Sequence, residues 1–533
     1  MNLIGNINAI PFRRFRGGGG VAPIPPFPSI TGMIARYSAL GLTNEQMAAN
    51  PVWVDKTGNG HDLQLKNFSW KGMSGIGGYG DENYQTFYKF TLDDYVFIAS
   101  PPGVKHMNFT FRVTGLQPGN KLTLAFFGTT NTVYGIWDKD GIYTVDADIV
   151  EAGKPTYFYN GYGATRGEFT IEILPLYPGA LVFDGVDDYG TCNNFPILTK
   201  EKGYTVVALR QWITYNPNAI SAIATNASDQ SFNGAFTFEN YNKGAEQTIS
   251  YGATQISLQY SKSPFSWQTT SKYNGFNIAN GNKDATNSLV LGRSYPQRNE
   301  FANFAIWELV FLDHDATEEE LTKIKDYFVK TYPWLFPYQA WTVVGKTNED
   351  EDRATIANIT GNGNDLVLSN FGFAEGSGYN EEGQYAGYLV TDGVDDKAVS
   401  KQFKFGENFT VILDFKFPVK KISYCGFDLS SKVRIQNLQG SGVNVVLKGN
   451  KTLIPSNVVR AVTSEGKVYD ENWNEYNIVP GNISSNYTMV NLGFDGSNQF
   501  AESATKLAGI YSSTLSKDDC IKAYNYLQTL KAK

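Results

Sequence analysis

The strongest constraint on the fold of this chain is a set of short landmarks that occurs twice in the same order. LVFDGVDDYG, from Leu181, is followed 208 positions later by LVTDGVDDKA, from Leu389. TGNGHDLQLKNF, from Thr57, is followed 303 positions later by TGNGNDLVLSNF, from Thr360. Landmarks that recur in a fixed order indicate two copies of one structural unit. The sequence therefore predicts a tandem repeat.

The spacing between the copies falls along the chain and locates an insertion. The spacing falls from 300 residues at Tyr79 to 208 residues at Asp184. It is 199 residues near the end of the copies, where TEEELTKIKDYF, from Thr317, matches SKDDCIKAYNYL, from Ser516. The first copy thus holds about 92 extra residues, near 82–178. Runs such as MNFTFRVTGL alternate apolar and polar residues between Gly-rich turns, so this segment is predicted to be a small β-sandwich.

Composition supports β-sandwich domains and limits the other classes. Aromatic residues make up 14% of the chain, charged residues 18%, and glycines number 53, the mixture that strands and tight turns favour. The net charge of −7 argues against a general nucleic-acid partner. We expect no membrane insertion, because no apolar run approaches about 18 residues. Neither a secretory signal nor a paired cysteine pattern is found, which fits assembly in a reducing cytoplasm.

Each copy ends in a predicted short helix. Thr317 and Glu320 form a capping box, in which the hydroxyl and the carboxylate each accept a backbone N–H of the first turn. Ser516 and Asp519 repeat the pattern. An apolar stripe follows each box: Leu321, Ile324, Tyr327 and Phe328 in the first copy, and Cys520, Ala523, Tyr526 and Leu527 in the second.

The predicted organisation has four parts. Residues 1–30 form an extended N-terminal arm. Residues 31–81 and 179–335 form the first sandwich, which is interrupted by the inserted β-sandwich at 82–178. Residues 336–533 form the second sandwich.

The repeat resembles the concanavalin A-like, or laminin-G-like, jelly-roll domains. The first copy carries DKTGNGHDL, FDGVDDY, YTVVALRQW, LVLGR and FANFAIWELVFLDHDATEEEL in the order typical of that superfamily. The second copy departs from it, with Thr391 in place of the Phe and Lys397 in place of the Tyr. The resemblance implies a mainly β fold of two tandem sandwiches. It leaves function open, because lectins, glycosidases, adhesins and virus parts share this fold.

The N-terminal arm and the chain as a whole look like virion proteins of the crAss-like phages of Bacteroides-type bacteria. That resemblance implies a non-enzymatic head-fibre or decoration protein of the virion, assembled in the host cytoplasm as a homo-oligomer. Its expected partners are capsid or other virion proteins and a host-cell surface glycan or receptor. The alternatives are a tail fibre or receptor-binding protein, a glycan-binding or glycan-degrading protein of the same fold, and a bacterial adhesin.

The repeated DGVDD has two interpretations. Asp-Gly between LVF and a following strand favours a tight hairpin turn, because Gly accepts positive φ and Asp accepts neighbouring backbone N–H groups. Alternatively, Asp184, Asp187 and Asp188 hold a calcium ion in the better-preserved first copy, since calcium prefers carboxylate and carbonyl oxygens. The turn is the favoured interpretation.

No catalytic residues are predicted. Glycoside hydrolysis needs two carboxylates facing each other across a cleft. The pairs in EFTIE and ENWNE are typical of solvated strand faces or loops, and the three histidines are far apart in the sequence: His61, His106 and His314. Trp267 and Tyr273, within SPFSWQTTSKYNG, are candidate glycan contacts, with core packing as the alternative.

The basic N-terminal arm is predicted to bind a larger partner. Arg13, Arg14, Phe15 and Arg16 precede GGGG and the Pro-rich VAPIPPFPS, and residues 1–30 contain no acid. Arg and aromatic side chains are frequent anchors of protein interfaces. The alternative interpretation is a disordered tail with a Gly hinge and a Pro-rich spacer.

Overall fold

The computed structural model describes the chain from residue 25 to residue 532, with gaps. The described ranges are 25–80, 87–90, 95–99, 105–126, 132–149, 156–161, 168–198, 203–214, 222–227, 237–238, 254–260, 285–293, 299–417, 425–430, 432–438, 442–456, 458–483, 485, 487–494 and 500–532.

The first sandwich begins with four strands and a short helix. These are β1 (Met33–Ser38), α1 (Asn44–Ala49), β2 (Val52–Trp53), β3 (Leu63–Lys66) and β4 (Gly75–Ile76). A second group of strands completes it after the insertion: β13 (Leu181–Asp184), β14 (Tyr189–Cys192), β15 (Thr205–Trp212), β16 (Ala224–Ala227), β17 (Thr237–Phe238), β18 (Gln255–Tyr260), β19 (Ala285–Leu291) and β20 (Asn303–Leu312).

The segment between β4 and β13 forms a separate sandwich of two four-stranded sheets. Its strands are β5 (Phe87–Phe90), β6 (Tyr95–Ala99), β7 (Lys105–Thr114), β8 (Lys121–Phe126), β9 (Thr132–Trp137), β10 (Gly141–Ile149), β11 (Thr156–Gly161) and β12 (Phe169–Ile173). The sheet orders are β10-β7-β12-β5 and β6-β11-β8-β9. Since β4 and β13 pair with each other, the two ends of this segment meet at one edge of the host sheet.

The second sandwich contains the remaining strands. They are β21 (Gln339–Thr342), β22 (Thr355–Ile356), β23 (Leu366–Ser369), β24 (Gly378–Asn380), β25 (Tyr388–Asp392), β26 (Lys397–Val399), β27 (Phe403–Lys404), β28 (Thr410–Lys416), β29 (Cys425–Leu429), β30 (Val433–Leu438), β31 (Gly442–Leu447), β32 (Asn450–Ile454), β33 (Val459–Thr463), β34 (Lys467–Asp470), β35 (Glu475–Asn477), β36 (Tyr487–Thr488), β37 (Val490–Leu492) and β38 (Glu502–Tyr511).

The sheets of the two large sandwiches have corresponding strand orders. One sheet of the first runs β18-β15-β20-β13-β4, with β1 also on β20. Its counterpart runs β33-β28-β38-β25-β24, with β21 also on β38, and then continues from β33 into β34 and β35. The second sheets contain β2-β3-β14-β19-β16-β17 and β22-β23-β26-β37-β29-β30, the latter extended by β31 and β32. The mainly β prediction is confirmed, and the common origin of the halves stays a prediction.

Both predicted helices form where their capping residues placed them. The first, α2 (Glu318–Thr331), has the full Thr317 box, and Leu321, Ile324, Tyr327 and Phe328 are its buried stripe together with Thr331. The second, α3 (Lys517–Gln528), begins after Ser516, which accepts the Asp519 N–H. Helix α1 was not predicted, although Thr43 and Gln46 form a third capping box there.

The two large sandwiches share one buried apolar layer. It combines side chains of β20, α2, the connecting segment, β38 and α3, among them Trp307, Val310, Ile324, Phe328, Tyr332, Trp334, Leu507, Tyr511, Ile521, Tyr524 and Leu527. A hydrogen bond crosses the same boundary, in which Tyr526 accepts the Thr254 N–H (3.2 Å). Asn525 also donates to the Pro175 carbonyl (3.2 Å), between β12 and β13 at the end of the inserted segment. The connecting segment is therefore packed between the sandwiches.

Candidate functional site

The acidic DGVDD turn of the first sandwich is closed by its own hydrogen bonds. Oδ1 of Asp184 accepts the N–H of Val186 (2.8 Å) and the N–H of Asp187 (3.4 Å). Oδ2 of Asp188 accepts the Asp184 N–H (3.1 Å), and its Oδ1 accepts the Ser74 hydroxyl (3.0 Å). These carboxylates thus have a structural role in holding the turn between β13 and β14. The predicted hairpin is wrong, because β13 pairs with β20 and β4 in one sheet and β14 pairs with β19 and β3 in the other.

Glycine is required at the second position of the turn. Gly185 has φ +77°, in the left-handed region that residues with a side chain adopt only with strain. A Cβ at this position would also lie 2.7 Å from the Cβ of Asn303. The turn interpretation of the Asp-Gly pair agrees with both observations.

The second sandwich builds the same turn from its own residues. Oδ1 of Asp392 accepts the N–H of Val394 (2.8 Å), and Oδ2 of Asp396 accepts the Asp392 N–H (2.9 Å). Asn370 donates to the Asp395 carbonyl (3.0 Å), as Asn67 donates to that of Asp187 in the first copy (3.0 Å). The two turns share these hydrogen bonds and differ at Oδ1 of the buried aspartate. This atom accepts the Ser74 hydroxyl in the first turn, whereas in the second turn Oδ1 of Asp396 is buried and has no hydrogen-bond partner within the described part of the chain.

The buried aspartate of each turn has a raised pKa. Burial and the neighbouring Asp184 carboxylate raise the pKa of Asp188 to about 8. Burial also raises the pKa of Asp396, to about 6. Asp188 has no exposed surface, so its ionised form is separated from water.

The fit of a calcium ion to these residues is limited. The three carboxylates of each turn have ligand atoms within 4.8 Å of one another. Calcium, however, takes about six to eight oxygen ligands. Three of the oxygens in the first turn already accept hydrogen bonds from the protein. The geometry fits turn closure better than a calcium cage, and calcium binding stays a prediction.

Replacing Asp188 by asparagine should remove a pH dependence of stability. The folded-state pKa of about 8 lies above the ordinary 3.8, so the contribution of Asp188 is complete below pH 3.8 and is lost as pH rises through 8. In chelator at pH 8, we expect Asp188→Asn to be more stable than the wild type by about 1–3 kcal/mol. Denaturant unfolding from pH 4 to pH 8 measures this difference.

The Asp188→Asn experiment also tests calcium. If the turn binds calcium, about 1 mM of the ion will stabilise the wild type at pH 8 and leave the variant unchanged. Asp396→Asn is the matched control, with a smaller effect because its pKa is raised less. A wild type without a steeper pH dependence than Asp188→Asn would contradict the raised pKa.

A second candidate surface is the base of the N-terminal segment, which packs on the first sandwich. The Phe27 ring covers the Arg36 guanidinium at 4.1 Å and meets the Tyr327 ring edge-on at 4.8 Å. Ile30 is buried in the shared apolar layer. Residues 25–30 are thus part of the folded body, and the predicted boundary of the arm at residue 30 is wrong for them.

Arg36 connects this base to a buried acid. It makes two hydrogen bonds of 3.0 Å to the Glu308 carboxylate, which has no exposed surface and also accepts the Tyr332 hydroxyl (2.7 Å). Burial raises the pKa of Glu308, and the Arg36 charge opposes this effect. The sequence signal for this network is a single acid, Glu308, within the apolar strand FAIWELVFL.

The other predicted site residues lie outside the described part of the chain. These are Arg13, Arg14, Phe15 and Arg16 of the arm, and the candidate glycan contacts Trp267 and Tyr273. The structure therefore brings together only the three aspartates among the predicted residues. The anchoring role of the arm residues and the glycan contacts of Trp267 and Tyr273 stay predictions.

Comparisons with known proteins give only distant likenesses. No protein-family model matches the chain, and no curated protein matches it. Among solved structures, the chain is similar to the botulinum neurotoxin serotype D binding domain, with 12% identity over 35% of this chain and 51% of that chain and a TM-score of 0.26. Trypanosoma rangeli sialidase gives 10% identity over 43% and 41%, with a TM-score of 0.26.

The binding domain of Paraclostridial Mosquitocidal Protein 1 gives 14% identity, with a TM-score of 0.22 and 35% and 51% coverage. This chain spans about half the length of these structures, and the overlap is too small to carry an argument about function. Separately, none of the described helices has the length and apolar character needed to cross a membrane.

Proposed function

We propose that this chain is a non-enzymatic structural protein of a phage virion, a head-fibre or decoration protein that residues 1–24 fix to the particle. Its sandwiches then project outward and contact a cell-surface glycan or receptor. The virion setting rests on the resemblance of the arm and the whole chain to crAss-like virion proteins. A tail fibre is the alternative position, and several copies on one particle would strengthen weak contacts by multivalency.

The observation that supports this proposal most is the packed base of the arm. Phe27 and Ile30 are held against β1, α2 and the shared apolar layer, so the described chain begins at a fixed point on the first sandwich. An anchor that starts from a fixed point sets the direction in which the folded body is displayed. The packing of both sandwiches on one apolar layer adds to this, because the displayed body then moves as a unit.

Deleting residues 2–24 should prevent incorporation into particles without unfolding the protein. The packed residues Phe27 and Ile30 remain, so we expect the unfolding transition of the deletion variant to match that of the full chain. Quantitative mass spectrometry of purified particles would give its copy number relative to the major capsid protein. We expect at least a tenfold loss, the effect of removing about 1.4 kcal/mol of binding free energy.

A substitution series separates charge from geometry at the anchor. A triple variant should also reduce incorporation into particles; it combines Arg13→Ala, Arg14→Ala and Arg16→Ala. The matched triple Lys variant keeps the positive charge and should retain part of the incorporation. Unchanged incorporation of the deletion variant would exclude the anchor. Absence of the full chain from purified particles would exclude the virion role itself.

A further inference from the structure

The first sandwich has an open cleft of 370 Å³ beside the TGNGHD turn, away from the acidic turns. Its lining includes apolar and polar side chains: Met33, Ile34, His61, Ile197, Leu198 and Asp313. Nδ1 of His61 is buried and has no hydrogen-bond partner within the described part of the chain. A few polar groups among apolar walls are typical of small-ligand sites, which begin at about 300 Å³.

Hydrogen bonds identify the equivalent place in the second sandwich. Asn59 donates to the Ile34 carbonyl (2.8 Å), and Asn362 donates to the Tyr338 carbonyl (2.7 Å). Thr57 and Thr360 donate to the same two carbonyls, at 3.4 Å and 3.3 Å. Tyr338 in the second sandwich therefore occupies the position of Ile34 in the first.

In the second sandwich this place is filled by the chain's own aromatic rings. The Tyr338 ring stacks on Phe405 at 5.5 Å and lies 6.1 Å from Phe403. The Tyr338 hydroxyl donates to the Lys404 carbonyl (3.0 Å). This place in the second sandwich therefore accommodates a tyrosine ring whose hydroxyl is hydrogen-bonded.

The first sandwich has smaller side chains at two of the matching positions, and the counterpart of Phe405, Lys200, lies outside the described part of the chain. Ile34 replaces the tyrosine, and Leu198, seven residues before Thr205, replaces Phe403, which is seven residues before Thr410. Ile34 and Leu198 are almost fully buried, whereas Ile197 is 39% exposed at the opening. The cleft thus lies where the second sandwich places its own Tyr338 ring, and Ile34 and Leu198 line it.

We propose that this cleft binds a phenolic ring supplied by another molecule, with a tyrosine side chain as the model. Met33, Ile34 and Leu198 would pack on the ring. The Asp313 carboxylate would accept the phenol O–H at the rim, where its side chain is 63% exposed. The backbone of Asp313 is fixed by its N–H bond to the Gly32 carbonyl (2.9 Å), and Nδ1 of His314 lies 3.0 Å from Oδ1 of Asp313. This inference does not depend on the virion setting.

Methyl NMR of the full chain with p-cresol tests the proposal. We expect saturable shifts of the Met33 and Ile197 methyl groups with a dissociation constant of about 1 mM, the order expected for so small a ligand. Cyclohexanol, which has a hydroxyl but no aromatic ring, is the ligand control and should bind more weakly. Asp313→Asn should weaken p-cresol binding about threefold to tenfold and leave toluene binding unchanged.

A reciprocal exchange between the sandwiches makes the test independent of any single variant. Ile34→Tyr places the second sandwich's ring in the cleft and should abolish p-cresol binding while distant methyl signals stay unchanged. Tyr338→Ile should create p-cresol binding in the second sandwich, next to Phe405. The proposal is wrong if wild type shows no saturable shift at about 10 mM p-cresol, or if Ile34→Tyr binds as well as wild type.

Discussion

Replacing Asp414 by alanine is expected to lower the free energy of unfolding by about 3–5 kcal/mol, because it leaves a buried guanidinium without its counter-charge. Asp414 and Arg460 form an ion pair in which both side chains are almost completely buried. The aspartate also accepts the hydroxyls of Tyr388 (3.0 Å) and Tyr524 (3.2 Å) and the amide of Gln528 (3.0 Å). One side chain thus joins three strands of the sheet to helix α3.

Denaturant unfolding measures this change, and two further variants define its cause. Asp414→Leu combined with Arg460→Met removes both charges and should recover much of the loss, because the penalty comes from the unpaired charge. Glu465→Ala, at an exposed acid in the β33–β34 turn of the same sandwich, should change stability by less than about 0.5 kcal/mol. An Asp414→Ala variant as stable as Glu465→Ala would contradict the buried network.

Replacing Tyr526 by alanine is expected to weaken the joint between the two large sandwiches. The side chain is buried in α3, and its hydroxyl accepts the Thr254 N–H at the start of β18, so its loss affects both sandwiches. We expect a loss of about 3–5 kcal/mol, as for other buried aromatic side chains cut to alanine. Hydrogen exchange should rise both in α3 and in β18.

The matched control at this position is Tyr526→Phe. It keeps the ring and removes only the hydroxyl, so it should cost about 1 kcal/mol and affect mainly the exchange of Thr254. If Tyr526→Ala raises exchange in the second sandwich alone, the shared layer does not couple the two sandwiches. The proposal that the two large sandwiches are displayed as one rigid body would then be wrong.

Much of the architecture was predictable because the signals are local. The paired landmarks marked equivalent strands and turns, and Thr317 and Ser516 marked the helix starts. The short helix α1 had a similar signal, with Thr43 and Gln46 as its capping box, but six residues carry little periodicity. The prediction was wrong at Phe27, because a Pro-rich stretch is typical of an extended spacer. In the structure the Phe27 ring packs on Arg36.

The candidate sites were less predictable because they depend on residues distant in the sequence. The acids of DGVDD were visible, but the partners that use their oxygens include Ser74, which is 114 residues from Asp188. Glu308 and Asp414 each stand as a single acid inside an apolar strand, and this pattern indicates a buried acid. Nothing in the sequence indicates that Arg36 and Arg460 are their partners. The cleft beside His61 could not be predicted from the sequence. Ile34 and Tyr338 correspond to each other through their hydrogen bonds to Asn59 and Asn362, and these contacts are seen only in the folded chain.

Electron microscopy of purified particles that carry the full chain tests the central claim most directly. We expect density for both large sandwiches in the fixed relation set by the shared apolar layer. This density should project from the particle, with the connection at the end where Phe27 packs. Particles that carry the residue 2–24 deletion should lack this density. Density joined to the particle through the second sandwich, or unchanged in the deletion particles, would contradict the account.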